Sequence, residues 1–141
     1  MYYIGGIMGF FSSLLKSIFG ESNERYYDNG SGSGEDVLRQ RLEEVFITDY
    51  SECDVRRDIS ALEIYNEPDA VNYDYGLYLE GKPIALFNVI PYRNVYRKKS
   101  YRLAKQIAEE RGIPHMNFFA HLPNEVSYIS ERLRENIVKS L

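Results

Sequence analysis

Residues 82–111 carry the side chains with the clearest chemical use. Lys82, Arg93, Arg97, Lys98, Lys99, Arg102, Lys105 and Arg111 form a block of 8 bases against 2 acids, whereas residues 21–81 hold 16 acids against 5 bases. The chain as a whole has a net charge of -4. A local basic face can still attract phosphate, because screening confines opposing charges to about 10 Å. Tyr92, Tyr96 and Tyr101 interleave with these bases. Aromatic rings beside cations suit base stacking together with phosphate contact. The same pattern also suits tyrosines that pack a core while the bases face water.

Two polar residues stand out on apolar runs nearby. Asp74 lies between tyrosines in Tyr73–Leu79, and Asn88 is flanked by apolar residues in Ile84–Ile90. An amide so placed reads as a buried hydrogen-bonding group. Other chemistries are poorly supplied. One cysteine, Cys53, excludes an internal disulfide and a paired-cysteine metal site, and two histidines, His115 and His121, do not make a histidine-rich zinc centre. There is no glycine-rich phosphate loop and no Ser-His-Asp order.

The elements that position these residues follow from periodicity. A first helix is expected after Ser33, a possible cap, with Val37, Leu38, Leu42, Val45 and Phe46 on its apolar face. A strand falls within 53–66, with its ends unplaced. Tyr73–Leu79 and Ile84–Ile90 read as a hairpin turning at Glu80-Gly81-Lys82-Pro83. A helix is expected from about Val95 to Arg111, stopped by Gly112 and Pro114. His115–Ala120 reads as a strand, and a last helix begins near Pro123-Asn124. In front of this domain, at 34–141, lie an apolar helical segment at 1–19 and a Gly/Ser-rich linker at 20–33. Residues 2–19 are too interrupted for an ordinary span, so an amphipathic helix on a membrane surface, on a partner or on the domain itself is expected. The setting expected is cytoplasmic, with membrane association through that segment.

The order α-β-β-β-α-β-α resembles the restriction-endonuclease-like fold of the PD-(D/E)XK nuclease superfamily. Four pieces carry the likeness: Gly34-Glu35 at the first helix, the hairpin YDYGLYLEGKPIALFNV, the basic helix after it, and the strand RGIPHMNFF. The resemblance covers roughly residues 34–139 and implies an α/β fold with an α-β-β-β-α-β core and a C-terminal helix, to which the periodicity of 1–19 adds an N-terminal apolar helix. It implies Asp74 as a ligand of Mg²⁺, Asn88 at the second-ligand position, Ile90 where a lysine would help activate water, and Glu35 as an assisting acid. Such a centre would hold a hard cation with carboxylates and stabilise the charge of phosphodiester hydrolysis.

Asn88 brings no charge and Ile90 no base, so the site set Glu35, Asp74 and Asn88 reads as degenerate, with no cofactor, or Mg²⁺ if active. The expected function is then binding of DNA or a protein partner, with Arg93, Arg97, Lys98, Lys99, Arg102 and Lys105 contacting nucleic acid. Two alternatives stay open. One is an active Mg²⁺-dependent nuclease with a lysine relocated to the following helix, or with the set Asp69, Glu80 and Lys82, which also satisfies the family's literal pattern. The other is a membrane-associated adaptor.

Overall fold

Alternating apolar runs become strands and amphipathic stretches become helices in the computed structural model, which describes residues 32–137. The elements are α1 (Glu35–Asp49), β1 (Asp54–Ile59), β2 (Tyr73–Leu79), β3 (Lys82–Ile90), α2 (Lys99–Glu110), β4 (His115–Phe119) and α3 (Val126–Asn136). The expected apolar helix at 1–19 lies outside the described residues, as does the linker apart from Gly32 and Ser33. The chain divides into two compact units, and every element named here belongs to the one made of Ser33–Ala120 and Asn124–Leu141. Among the described residues no helix is long and apolar enough to cross a membrane.

The sheet has the order β1-β2-β3-β4. β1, β2 and β3 run antiparallel, and β4 joins β3 in parallel, with Leu86 opposite His115 and Asn88 opposite Asn117. Parallel neighbours need a crossover connection, and α2 supplies it. On one face, α1 and α3 bury Leu38, Leu42, Phe46, Ile129 and Leu133 against Tyr75, Leu77, Phe87, Met116 and Phe118. On the other, α2 buries Ala104, Ile107 and Ala108 against Ile59, Tyr73, Tyr78 and Leu86. The architecture is a four-stranded mixed sheet between helices.

Local chemistry accounts for the departures from the sequence reading. Ser33 does not cap α1; the cap is Gly34 at φ 80°, and the Ser33 hydroxyl donates to the Gly34 carbonyl at 3.0 Å. Gly34 accepts the left-handed backbone that a side chain would resist. The hairpin turn is shorter than expected. Glu80 and Gly81 both have positive φ, 53° and 81°, as a two-residue primed turn requires, so Lys82 and Pro83 already belong to β3. The expected helix from Val95 is broken. Val95–Arg97 is a 3₁₀ turn, Lys98 is extended, and the α-helix starts at Lys99. Its stop is as expected: Gly112 at φ 74° lets its own N–H reach the Glu109 carbonyl and that of Ile113 reach Ala108. The last helix starts at Val126 rather than near Asn124, whose φ of 54° is not helical.

Gly76 is required by packing in the middle of β2. A Cβ there would lie 2.5 Å from Ile59 Cδ1 and 2.9 Å from Tyr78 Cε1. Gly76→Ala is therefore expected to lower stability by about 1–3 kcal/mol through overpacking. Urea unfolding of the two proteins measures this; an unchanged midpoint would mean the α2-side core can shift to admit the methyl group.

Candidate site at the opening of the central hairpin

The β2–β3 ladder runs from Leu79 opposite Lys82 to Tyr75 opposite Phe87 and then stops. Beyond it the strands part. Tyr73 and Tyr75 are two residues apart, yet Tyr75 packs toward α1 and Tyr73 toward α2. Strand alternation would put both on one face, so β2 bends at Asp74.

Side chains make the hydrogen bonds at this fork. Asp74 Oδ2 accepts from the Val89 backbone N–H at 2.7 Å and from Asn88 Nδ2 at 3.3 Å. The same Asn88 amide nitrogen donates to the Asn72 carbonyl at 2.9 Å. Asp74 Oδ1 accepts from the Arg39 guanidinium at 3.1 Å. Burial disfavours the Arg39 charge, but hydrogen bonding and attraction to Asp74 outweigh it and hold the guanidinium above its ordinary range. Glu35, one helical turn earlier, lies 3.9 Å from Arg39. The structure thus brings Asp74 and Asn88 into direct contact and ties Glu35 to them through Arg39.

His115 completes the network. Its Nε2 lies 2.8 Å from Asn88 Oδ1, and its ring meets Tyr73 edge-on at 5.7 Å. Because Asn88 spends its NH₂ on Asn72 and Asp74, its oxygen must accept, so His115 carries its proton on Nε2. Burial, then Lys105 and Arg132, push the His115 pKa down to about 3. The ring is neutral at ordinary pH, and Nδ1 has no hydrogen-bond partner. From the α2 side Tyr101 faces the same carboxylates: burial, then Asp74 and Glu35, raise its hydroxyl above the usual range.

A neighbouring layer holds Arg39 in place. Its guanidinium lies over the Tyr75 ring at 5.9 Å, and the Tyr75 hydroxyl donates to Glu43 at 2.6 Å. Arg57 hydrogen-bonds Glu43 from the side at 2.5 Å and keeps that carboxyl below its ordinary range.

This donor set does not fit Mg²⁺, which takes near-octahedral oxygen ligands. Both Asp74 oxygens already hold donors, and the Asn88 oxygen faces His115. Ile90, where the resemblance expects a lysine, is 0% exposed. Of Lys98, Lys99 and Lys105, the lysines that the active alternative would need from the following helix, Lys105 is held by the His115 carbonyl at 3.4 Å and by Glu109 at 3.3 Å. Lys98 and Lys99 are exposed. Among the described residues no group of three or more His, Cys, Asp or Glu is placed to share a metal. The literal set is not brought together by any hydrogen bond or ion pair: Asp69 is in the exposed loop before β2, Glu80 is in the turn, and Lys82 opens β3.

The basic block divides. Lys98, Lys99 and Arg102 are exposed, Arg97 lies over the Tyr96 ring at 5.7 Å, and Arg93 is half-buried. The tyrosines divide too. Tyr96 packs edge-on against Phe119 at 5.3 Å and Tyr101 is half-buried, but Tyr92 is exposed. Sequence reasoning missed Arg39 and the pairing of His115 with Asn88. Glu35 and Arg39 stand at helical i, i+4 spacing, a signal that puts both on one face. Comparison with protein-family models, curated proteins and solved structures returns no match.

Two outcomes test this network. Asp74→Ala removes the acceptor of a backbone N–H and strands Arg39, so a loss of about 2–4 kcal/mol is expected, with Asp74→Asn costing less because it keeps an acceptor. Urea midpoints of the three proteins compare them; equal losses for Ala and Asn would show that the hydrogen bonds at Asp74 contribute little. The pH dependence follows from His115. Its folded pKa of about 3 is below the ordinary 6.5, so only the unfolded state takes up the proton between them. The stability that His115 contributes is full above pH 6.5 and is lost as pH drops toward 3, with a slope approaching about 1.4 kcal/mol per unit between pH 6 and 5. His115→Gln, which keeps a donor for Asn88 and does not titrate, is expected to flatten that window in denaturation at pH 7, 6 and 5.

Proposed function

We propose that this domain is a catalytically degenerate restriction-endonuclease-like module that binds nucleic acid. The observation that carries the reading is the double engagement of Asp74, by Arg39 on one oxygen and by Val89 and Asn88 on the other. Where a nuclease of this type would present carboxylates to a cation, this fork presents a satisfied ion pair and a neutral amide. The element order and the mixed sheet with α2 as its crossover support the fold assignment.

Binding is supported by charge. Lys98, Lys99 and Arg102 stand exposed at the start of α2 with no ion-pair partner among the described residues. Acidic positions are scarce in this stretch, and the first turn of α2 has none. A cationic surface without internal neutralisation gains by releasing counterions from a polyanion.

The test has two arms. Plasmid and single-stranded DNA incubated with Mg²⁺ or Mn²⁺ are expected to remain intact. Labelled DNA is expected to bind with an affinity that falls as salt rises, and Lys98→Glu with Lys99→Glu and Arg102→Glu is expected to weaken binding at least tenfold. Cleavage that Asp74→Ala abolishes would establish an active nuclease instead. Salt-independent binding would remove this cationic surface as the interface, and no binding would remove nucleic acid as the partner and favour a protein.

A further inference from the structure

We infer that the corner leaving the hairpin fork makes this surface selective for single-stranded over duplex nucleic acid, with Tyr92 as the stacking platform. The inference rests on the nucleic-acid reading above and names the form of the ligand. Tyr92 is 73% exposed, the highest value of any large hydrophobic residue among the described residues. Its ring has no aromatic, cationic or hydrogen-bonding partner there, in contrast to Tyr96 on Phe119. An aromatic face left in water is available for a planar ligand.

The ring is presented on an ordered backbone. Pro91 precedes it with a fixed φ. The Tyr92 carbonyl accepts from the Val95 N–H at 3.0 Å, Asn94 accepts from Arg97 at 3.2 Å, and Val95 accepts from Lys98 at 3.0 Å. Each such turn keeps its ends within about 7 Å, so Tyr92 and Lys98 backbones lie within roughly 14 Å. Long side chains at both ends span that distance. One ligand can therefore stack a base on Tyr92 while its phosphates meet Lys98 and Lys99.

Selectivity follows from which faces a nucleic acid exposes. In a duplex the base faces are hidden in the stack, so an intact duplex offers Tyr92 nothing beyond what its phosphates offer the lysines. A single strand offers both. Stacking of one base on an aromatic side chain is worth about 1–3 kcal/mol, sequence-tolerant because every base has a π-face. The lysines thus serve both forms and Tyr92 only one.

The experiment is fluorescence anisotropy of the full chain with a labelled single strand of about 15 nucleotides, near the upper end of common site sizes, and with its duplex. The wild type is expected to prefer the single strand. Tyr92→Ala is expected to weaken the single strand about tenfold and leave the duplex unchanged, Tyr92→Phe to behave as wild type, and Lys98→Glu with Lys99→Glu to weaken both. Because Tyr92 is exposed, its replacement leaves the core intact, which circular dichroism checks. Equal wild-type affinity for the two forms, or an equal loss for both on Tyr92→Ala, overturns the selectivity while nucleic-acid binding stands. No binding to either form overturns the nucleic-acid reading itself, and this inference with it.

Discussion

The structure depends on a carboxylate standing in for a strand. β3 must continue past Phe87, because Asn88, Val89 and Ile90 are the residues that receive Asn117, Phe118 and Phe119 of β4. β2 must leave the ladder at Asp74, because Tyr73 is needed in the α2-side core, where its hydroxyl donates to the Ala104 carbonyl at 2.6 Å. The two demands leave the buried Val89 N–H without a strand opposite. A buried, unsatisfied donor costs about 1–3 kcal/mol, a large part of a domain's net stability. The Asp74 side chain supplies the missing acceptor, and the Asn88 amide returns a donor to the Asn72 carbonyl. Two side chains thus do the work of a pair of ladder hydrogen bonds.

That solution brings a charge into a partly enclosed place, and the rest of the site follows from it. Arg39 provides the countercharge from α1, so one ion pair links α1 to the open end of the hairpin. The guanidinium is in turn placed by Tyr75 and by the Glu43–Arg57 pair behind it. On the other side the Asn88 oxygen needs a donor in the α2-side layer. His115, first residue of β4, supplies it only as a neutral ring, and burial keeps it so. A strand's first residue, a helix's second turn and a hairpin's open end are coupled through one carboxylate.

Much of the architecture was legible in the sequence because it rests on local signals. Alternation marked β2 and β3, the spacing of Leu38, Leu42, Val45 and Phe46 marked α1, and Gly112 before Pro114 marked the end of α2. Where local signals compete, the observed boundary departs from the expected one by a residue or a turn. Ser33 is a good cap by type, but Gly34 takes the left-handed position and its N–H bonds to the Ala120 carbonyl, which fixes where α1 begins. The Val95 turn resembles a helix start until Lys98 becomes extended. The site was legible as a pair of residue types at Asp74 and Asn88. Its partners were not, since Arg39 and His115 reach them from other elements and no periodicity announces such contacts. Tyr92, Tyr96 and Tyr101 show the same limit: one pattern of spacing contains an exposed ring and two packed ones.

The amide at 88 and the guanidinium at 39 belong together. A carboxylate at 88 would place an acceptor against two acceptors, the Asn72 carbonyl and Asp74 Oδ2, now bridged by one NH₂ group. It would also set a second negative charge beside Asp74 with a single guanidinium to serve both. Such a pair becomes favourable only with a strong cation between the carboxylates, and that cation would need the oxygen that Arg39 now holds. Conversely, with Asn88 in place, removing Arg39 would leave Asp74 charged with only neutral donors around it. Each residue makes the other acceptable. A single substitution at 88 therefore trades a satisfied network for an unsatisfied one, and a change of chemistry at this fork requires positions 39 and 88 to change together.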